Sequence, residues 1–455
     1  MAFQQGLSGL NTSSKSIDVI SNNIANASTV GFKSAEAHFA DVFAASLTGA
    51  GANNVGIGSA LGAVFQQFTQ GTLTTTNNPL DIAINGQGFY RMSDGGAVTY
   101  SRNGQFHVDK NGFIVNDQDL RLTGFLADQS GIIVPSSPAE LQIDASDLSP
   151  VATGASTGVA GFQGVRANIN LDARVTLPGP WSAQVNTVPP AVAGGTVTID
   201  PQGYNYSTAL SIYDSLGNPH TLTFYFRKLA TAGEWEVRAN VDGTQEANVN
   251  IGAGFGTPVT FTFGTDGRPQ TAPAGLFPEN VLSASVNLAG VTADLIAGGQ
   301  SVPNSNANPI TFDLDFSDST QFGSPFGTNR LEQDGFTSGR LAGVSVGQDG
   351  VVQGRYSNGQ TRNLGQVVLA NFTNPNGLQS LGGNQWAETS TSGPPLVGAP
   401  GSASLGVLNS SSVEDSNVDL TGELVKMITA QRNYQANAQS IKTQDQILQT
   451  LVNLR

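Results

Sequence analysis

The sequence predicts a mainly β, multidomain protein with a long α-helix at each end, and three observations carry that prediction. Apolar residues recur at heptad spacing near both termini, short alternating apolar runs separated by Asn-Gly and Asp-Gly turns fill the middle, and Gly-rich stretches divide the 455 residues into blocks. Taken together they describe a nested chain, in which terminal helices enclose an inner β layer and the inner layer encloses a second β unit.

The first helix is read from Phe3, Leu7, Leu10, Ser14, Ile17, Ser21 and Ile24, which follow one another in steps of four and three. It belongs with the far end of the chain in a terminal helical domain of 1–30 and 416–455. Residues 31–72 read as a linker region, because 47–62 is rich in Gly, Ala and Asn and is expected to be a flexible joint. An inner β domain is expected over 73–149 and 334–415. There Leu80, Ile82 and Ile84 alternate ahead of Asn85-Gly86, and Asn103-Gly104, Asn111-Gly112, Asp349-Gly350 and Asn358-Gly359 supply further turns. A second Gly-rich stretch, 390–406, is expected to be another flexible joint.

An outer β domain, 150–333, is inserted in the inner one. Its strands are marked by Leu222, Phe224 and Phe226 and by Phe312, Leu314 and Phe316, with turns at Asp242-Gly243 and Asp266-Gly267. Both β domains are expected to be antiparallel. The last helix has the stronger seam: Leu420, Leu424, Met427, Gln431, Tyr434, Ala438, Ile441, Asp445, Leu448 and Val452 run without a break or a proline. Ser416 and Asp419 are expected to form a capping box ahead of it.

Composition excludes several functions. The formal charge of −14 with no basic cluster repels phosphate backbones, so no nucleic-acid partner is expected. The absence of cysteine excludes disulfides and thiolate chemistry. No apolar run reaches the length of a membrane span, so no membrane insertion is expected. The N-terminal residues lack the basic and apolar regions of a cleaved secretory signal.

Candidate catalytic and ligand motifs fail on context. Gly343-Val344-Ser345-Val346-Gly347 has the spacing of a nucleophile elbow, yet another hairpin follows it and no histidine lies beyond Ser345. Gly56-Ile57-Gly58 with Gly62 lacks the preceding buried strand of a dinucleotide loop. His38, His107 and His220 lie far apart, and Asp313, Asp315 and Asp318 lack the glycine and terminal glutamate of a calcium loop. No catalytic residue, metal site or cofactor is therefore expected, and the chain is read as a non-enzyme.

The paired termini remain. A helix rich in Asn, Ser and Thr is marginal alone in water. Phe3, Leu7, Leu10, Ile17 and Ile24 on one helix, with Leu420, Leu424, Met427, Tyr434, Ile441, Leu448 and Val452 on the other, form stripes that demand cover. These residues are expected to be an assembly interface between copies of the chain, disordered in the free monomer before about Ala27 and after about Asn417.

Residues 3–43, centred on Ser21-Asn22-Asn23-Ile24-Ala25-Asn26 and Gly31-Phe32-Lys33, resemble the N-terminal signature of the bacterial flagellar rod and hook axial protein family. Residues 416–455, with Glu423-Leu424-Val425 and Arg432-Asn433-Tyr434-Gln435, resemble the matching C-terminal signature. The segments Asn85 to Tyr90, Tyr100 to Phe106 and Gly365 to Phe372 resemble the inner domain of hook subunits, and Tyr213 to His220 resembles a turn of their outer domain. The resemblance assigns Ser21, Asn22, Asn23, Ala25, Asn26, Gly31, Phe32 and Lys33 to the family motif. It implies a structural subunit of the curved, tubular flagellar hook, a universal joint transmitting torque from rod to filament, with a distal-rod subunit of the basal body as the alternative. It further implies a homopolymer, contacts with a hook-capping scaffold, the distal rod protein and the hook-filament junction protein, and export by the flagellar type III apparatus.

Overall fold

The computed structural model describes residues 2–42, 56, 58–128, 131–144, 146–155, 163–187, 194–270, 281–300, 302 and 309–453. Among the described residues there are three α-helices, α1 (Ala2–Ala25), α2 (Leu288–Ala297) and α3 (Leu420–Asn453), and the remaining regular structure is almost all strand. The mainly β fold with a helix at each end is thus as the sequence predicts. The chain divides into two compact units, one of Met1–Ala145, Ala342–Arg355 and Thr361–Arg455, the other of Ser146–Leu341 and Tyr356–Gln360.

In the first unit the central sheet follows the order Leu341–Val346, Val351–Tyr356, Thr361–Val367, Arg121–Leu126, Phe89–Asp94, Ala97–Ser101, Gln385–Ala387 and Gln379–Gly382. Alternation in the sequence becomes burial here: Ile82 and Ile84 are wholly buried. Edge-to-face rings of Phe68, Phe89, Phe372, Tyr100 and Trp386 form a second apolar cluster. Such offset ring contacts add to the burial of each side chain.

Two of the expected connectors contain regular structure. Within 31–72, Ala35–Val42 and Gly58–Gln66 pair as a two-stranded antiparallel ribbon, because alternating residues with few prolines can satisfy each other's backbone groups. Residues 43–55 and 57, which include most of the first expected joint, lie outside the described residues. The second expected joint, 390–406, contains the strand Leu396–Gly398 paired with Leu369–Asn371, and Ser392 is fully buried. Gly393 and Gly401 there take positive φ angles of 75° and 77°, as tight turns require.

The expected capping box is corrected. Helix α3 starts at Leu420 with Asp419 as its cap, the carboxylate oxygen Oδ1 accepting from the Thr421 amide at 3.0 Å. Ser416 lies outside the helix and accepts from the Val418 amide at 3.3 Å.

The second unit packs two sheets on one core. Tyr206–Tyr213, Pro219–Lys228, Glu234–Val241 and Val259–Thr262 form an antiparallel meander, burying Leu222, Phe224, Phe226 and Trp235. Opposite lies the sheet containing Gly164–Asp172, Val281–Val286, Ile310–Asp315, Thr320–Phe322 and Gly327–Gln333, which contributes Phe312, Leu314 and Phe316 to the same cluster. This second sheet is mixed. Gly164–Asp172 runs parallel to Ile310–Asp315 and to Thr320–Phe322, a pairing reached because the chain leaves after Asp172, builds the meander and α2, and returns.

Ser345 lies within the strand Leu341–Val346, and the next element is the strand Val351–Tyr356, which is not the helix an elbow requires. Asp315 accepts from Arg166 Nε at 3.1 Å. His220 holds Asp242 through Nδ1 at 2.7 Å.

Candidate assembly interface

The two terminal helices lie antiparallel. A side chain at Gly6 would meet Ile441 at 3.0 Å, one at Gly9 would meet Asn437 at 2.8 Å, and Asn23 reaches Glu423 at the other end. Backbones approach this closely because Gly6 and Gly9 carry no side chain where α3 crosses; Gly6, Ser13, Ile20 and Asn23 are the buried positions of α1. On α3 the inward positions are Glu423 and Ala430, fully buried, with Met427, Asn437, Ala438, Ile441 and Gln444 half-buried. Beyond Gly6 only Ala2 to Gln5 remain of α1, whereas α3 runs on from Ile441 to Asn453.

The residues expected to form the seam divide between this contact and solvent. Ile441 turns toward α1, while Met427, Leu10, Ile17 and Ile24 are half-buried. Phe3, Leu7, Leu420, Leu424, Tyr434 and Leu448 stay exposed on the single chain, joined by Val425, Ile428 and Ile447. Val452 belongs to α3, but its side chain lies outside the described residues. The α1 contact thus uses one face of α3, Leu424, Val425 and Ile428 remain open on another, and Ile447 and Leu448 are exposed beyond the contact.

Helix α1 is anchored to the ribbon by short polar side chains. Gln5 donates to the Gly56 carbonyl at 2.7 Å, Ser8 Oγ accepts from the Ser59 amide at 3.3 Å, and the hydroxyls of Thr12 and Ser59 lie 3.2 Å apart. Asn23, 2% exposed, clamps the start of the ribbon: its Oδ1 accepts from the Ala35 amide at 2.9 Å and its Nδ2 donates to the Ala35 carbonyl at 2.8 Å. Asn26 bonds back to the Asn22 carbonyl at 2.9 Å and closes the end of α1. Of the other motif residues, Ser21 and Ala25 are exposed and Phe32 is half-buried.

Below this lies a buried ionic knot. Lys33 Nζ stands 2.7 Å from Glu414 Oε1, and Arg102 Nε stands 3.0 Å from Glu414 Oε2. Lys33 also donates to the Thr69 carbonyl at 2.7 Å, and Arg102 Nη2 to the Gly86 carbonyl at 2.9 Å. Burial first, then the neighbouring Arg102 guanidinium, holds the Lys33 ammonium below the ordinary lysine range, with Glu414 opposing both. Gly31 lies over the backbone of Arg102 and Asn103 at φ +72°, where a β-carbon would fall 2.7 Å from the Asn103 nitrogen. Only glycine fits there.

Asn417 completes the junction, accepting from the Ser34 amide at 2.7 Å and donating to the Gln67 carbonyl at 2.7 Å. Sequence reasoning found Asn23, Gly31 and Lys33 but missed Arg102, Glu414, Asn417 and Glu423 as their partners. The one available signal was the isolation of Lys33 among uncharged neighbours, which gives no partner.

A helix pair clamped to a β body and leaving apolar residues uncovered is suited to a structural subunit, and family models supply the class, that of the flagellar axial proteins. Residues 3–33 match the flagella basal body rod protein model, 83–147 the flagellar hook protein FlgE/F/G D1 domain, 170–336 the flagellar basal body protein FlaE D2 domain, and 409–454 the flagellar basal body rod FlgEFG protein C-terminal model. The chain is 39% identical over 459 residues to the flagellar hook protein FlgE of Escherichia coli, covering all of both chains, and 40% identical over 462 residues to that of Salmonella typhimurium, again covering all of both. The crystal structure of Helicobacter pylori flagellar hook protein FlgE2 aligns with a TM-score of 0.48 at 14% identity, covering 75% of this chain and 100% of that one. The chain belongs to the flagellar hook protein FlgE family. It is a hook subunit, a structural component of the flagellar hook and basal body, and the distal-rod alternative falls.

Proposed function

We propose that copies of this chain assemble through the exposed faces of α1 and α3 into a curved tube, the universal joint that carries torque from rod to filament. In this reading the terminal helical domain of 1–30 and 416–455 makes the contacts between copies, and it carries an inner β domain of 73–149 and 334–415 and an outer one of 150–333. The subunit acts without catalysis or cofactor. It leaves the cell through the flagellar type III apparatus, and meets a hook-capping scaffold, the distal rod protein and the hook-filament junction protein at the ends of the polymer.

The observation that supports the reading is the apolar patch at the start of α3, where Leu424 is 45%, Val425 60% and Ile428 52% exposed. Completing the burial of one such side chain contributes about 1 kcal/mol, repeated in every copy. Full-length Leu424→Asp tests it. The single chain should keep its thermal transition, because Leu424 touches solvent, while tubes should disappear from electron micrographs. Tubes of normal length from that variant would refute the interface.

A further inference from the structure

We propose that Glu414 acts as an electrostatic interlock, so that the segment following α1 seats on the β body only after the C-terminal segment has taken its place. Lys33 and Arg102 occupy one dry site, with side chains 0% and 4% exposed, and the carboxylate between them is 1% exposed. Arg102 belongs to the body, its guanidinium held by the carbonyls of Gly86 and Gly88. Lys33 arrives from the N-terminal side, and among the described residues its acceptors are the Thr69 carbonyl and Glu414. Without Glu414 the site would enclose two like charges and no anion, a state that burial penalises heavily.

The backbone enforces the same order. Glu414 lies in the strand Ser412–Glu414, which pairs with Leu73–Thr75 immediately before α3. Its carbonyl accepts from the Gly31 amide at 2.8 Å, and its Oε1 from the Gly71 amide at 2.8 Å. The N-terminal segment therefore docks onto a surface that the C-terminal segment supplies, 381 positions later in the chain. In a chain delivered N-terminus first, α1 would remain undocked until delivery is nearly complete. The inference concerns one chain folding on itself, so it stands or falls independently of how copies assemble.

The test uses full-length protein at a concentration below assembly, comparing wild type, Glu414→Gln, Lys33→Met and Lys33→Met/Glu414→Gln. Hydrogen exchange at the Ala35 amide reports docking, and amides of Arg121–Leu126 report the body. Glu414→Gln should speed exchange at Ala35 by roughly 100-fold or more while leaving the body unchanged. Adding Lys33→Met should recover at least about 10-fold of that protection, because one of the two cations is gone. If Glu414→Gln also prevents folding of the body, recovery of folded protein by the double variant carries the same meaning. Wild-type protection in Glu414→Gln would overturn the proposal. So would a double variant no better than Glu414→Gln, which would reduce Glu414 to a simple hydrogen-bond acceptor.

Discussion

The side-chain amide of Asn23 donates to Glu423 Oε2 at 3.2 Å, joining the end of α1 to the start of α3 across 400 positions of sequence. Both residues are buried, and Lys426 holds the other carboxylate oxygen at 2.7 Å. One asparagine thus fastens its own helix to the ribbon through Ala35 and to the opposite helix through Glu423. Asn23→Ala removes all three bonds, which should cost about 2–4 kcal/mol in denaturant unfolding of the first unit. Asn23→Asp should cost more, because it sets a second carboxylate against Glu423.

Helix approach at Gly9 leads to a steric prediction. A β-carbon there lies 2.8 Å from the side chain of Asn437, whose flexible end can move aside for a methyl group but not for a branched one. Gly9→Ala should be tolerated, helped by up to about 1 kcal/mol of helix propensity. Gly9→Val should separate the helices, lower the helical circular dichroism of the chain and abolish tubes.

Alkaline stability should report on Tyr100. Burial first, then the carboxylate of Glu388 at 3.1 Å, pushes the Tyr100 phenol well above its ordinary range. In the unfolded chain the phenol ionises near pH 10, while in the folded chain it keeps its proton. The folded state then binds more protons, so stability falls as pH rises past 10. Tyr100→Phe should cost about 1 kcal/mol at pH 8 through the lost hydrogen bond. Denaturant titrations should show that gap narrowing from pH 10 to pH 11, and a constant gap would contradict the assignment.

The far end of α3 extends beyond the contact of Gly6 with Ile441. Residues from Gln446 onward, with Ile447 and Leu448 about half exposed, should exchange their amides rapidly in the free chain and slowly in tubes. Rapid exchange persisting in tubes would place this end outside the interface. The full-length Leu424→Asp chain serves as the unassembled control, and exchange there should stay rapid at every concentration.

Some of this is legible in the sequence and some is not, for physical reasons. Leu222, Phe224 and Phe226 announce a strand because the two-residue period of the backbone coincides with burial of one face. Both helices are visible through Leu424, Ile441 and their heptad companions. The face on which they meet is not, because Gly6, Gly9, Ser13 and Asn437 carry no hydrophobic signal and act through closeness. Parallel placement of Gly164–Asp172 beside Ile310–Asp315 is hidden too, since register across a long crossover leaves no local mark. Nothing near Lys33 points to Glu414, because electrostatic pairing over such a separation is a property of the fold alone.

Because α3 outlasts α1 at one end of the pair and not at the other, the two ends are chemically distinct. At one end Asn23 closes on Glu423, and at the other α3 projects alone and exposes Ile447 and Leu448. A head-to-tail stack of such subunits would carry that difference between its ends along its whole length.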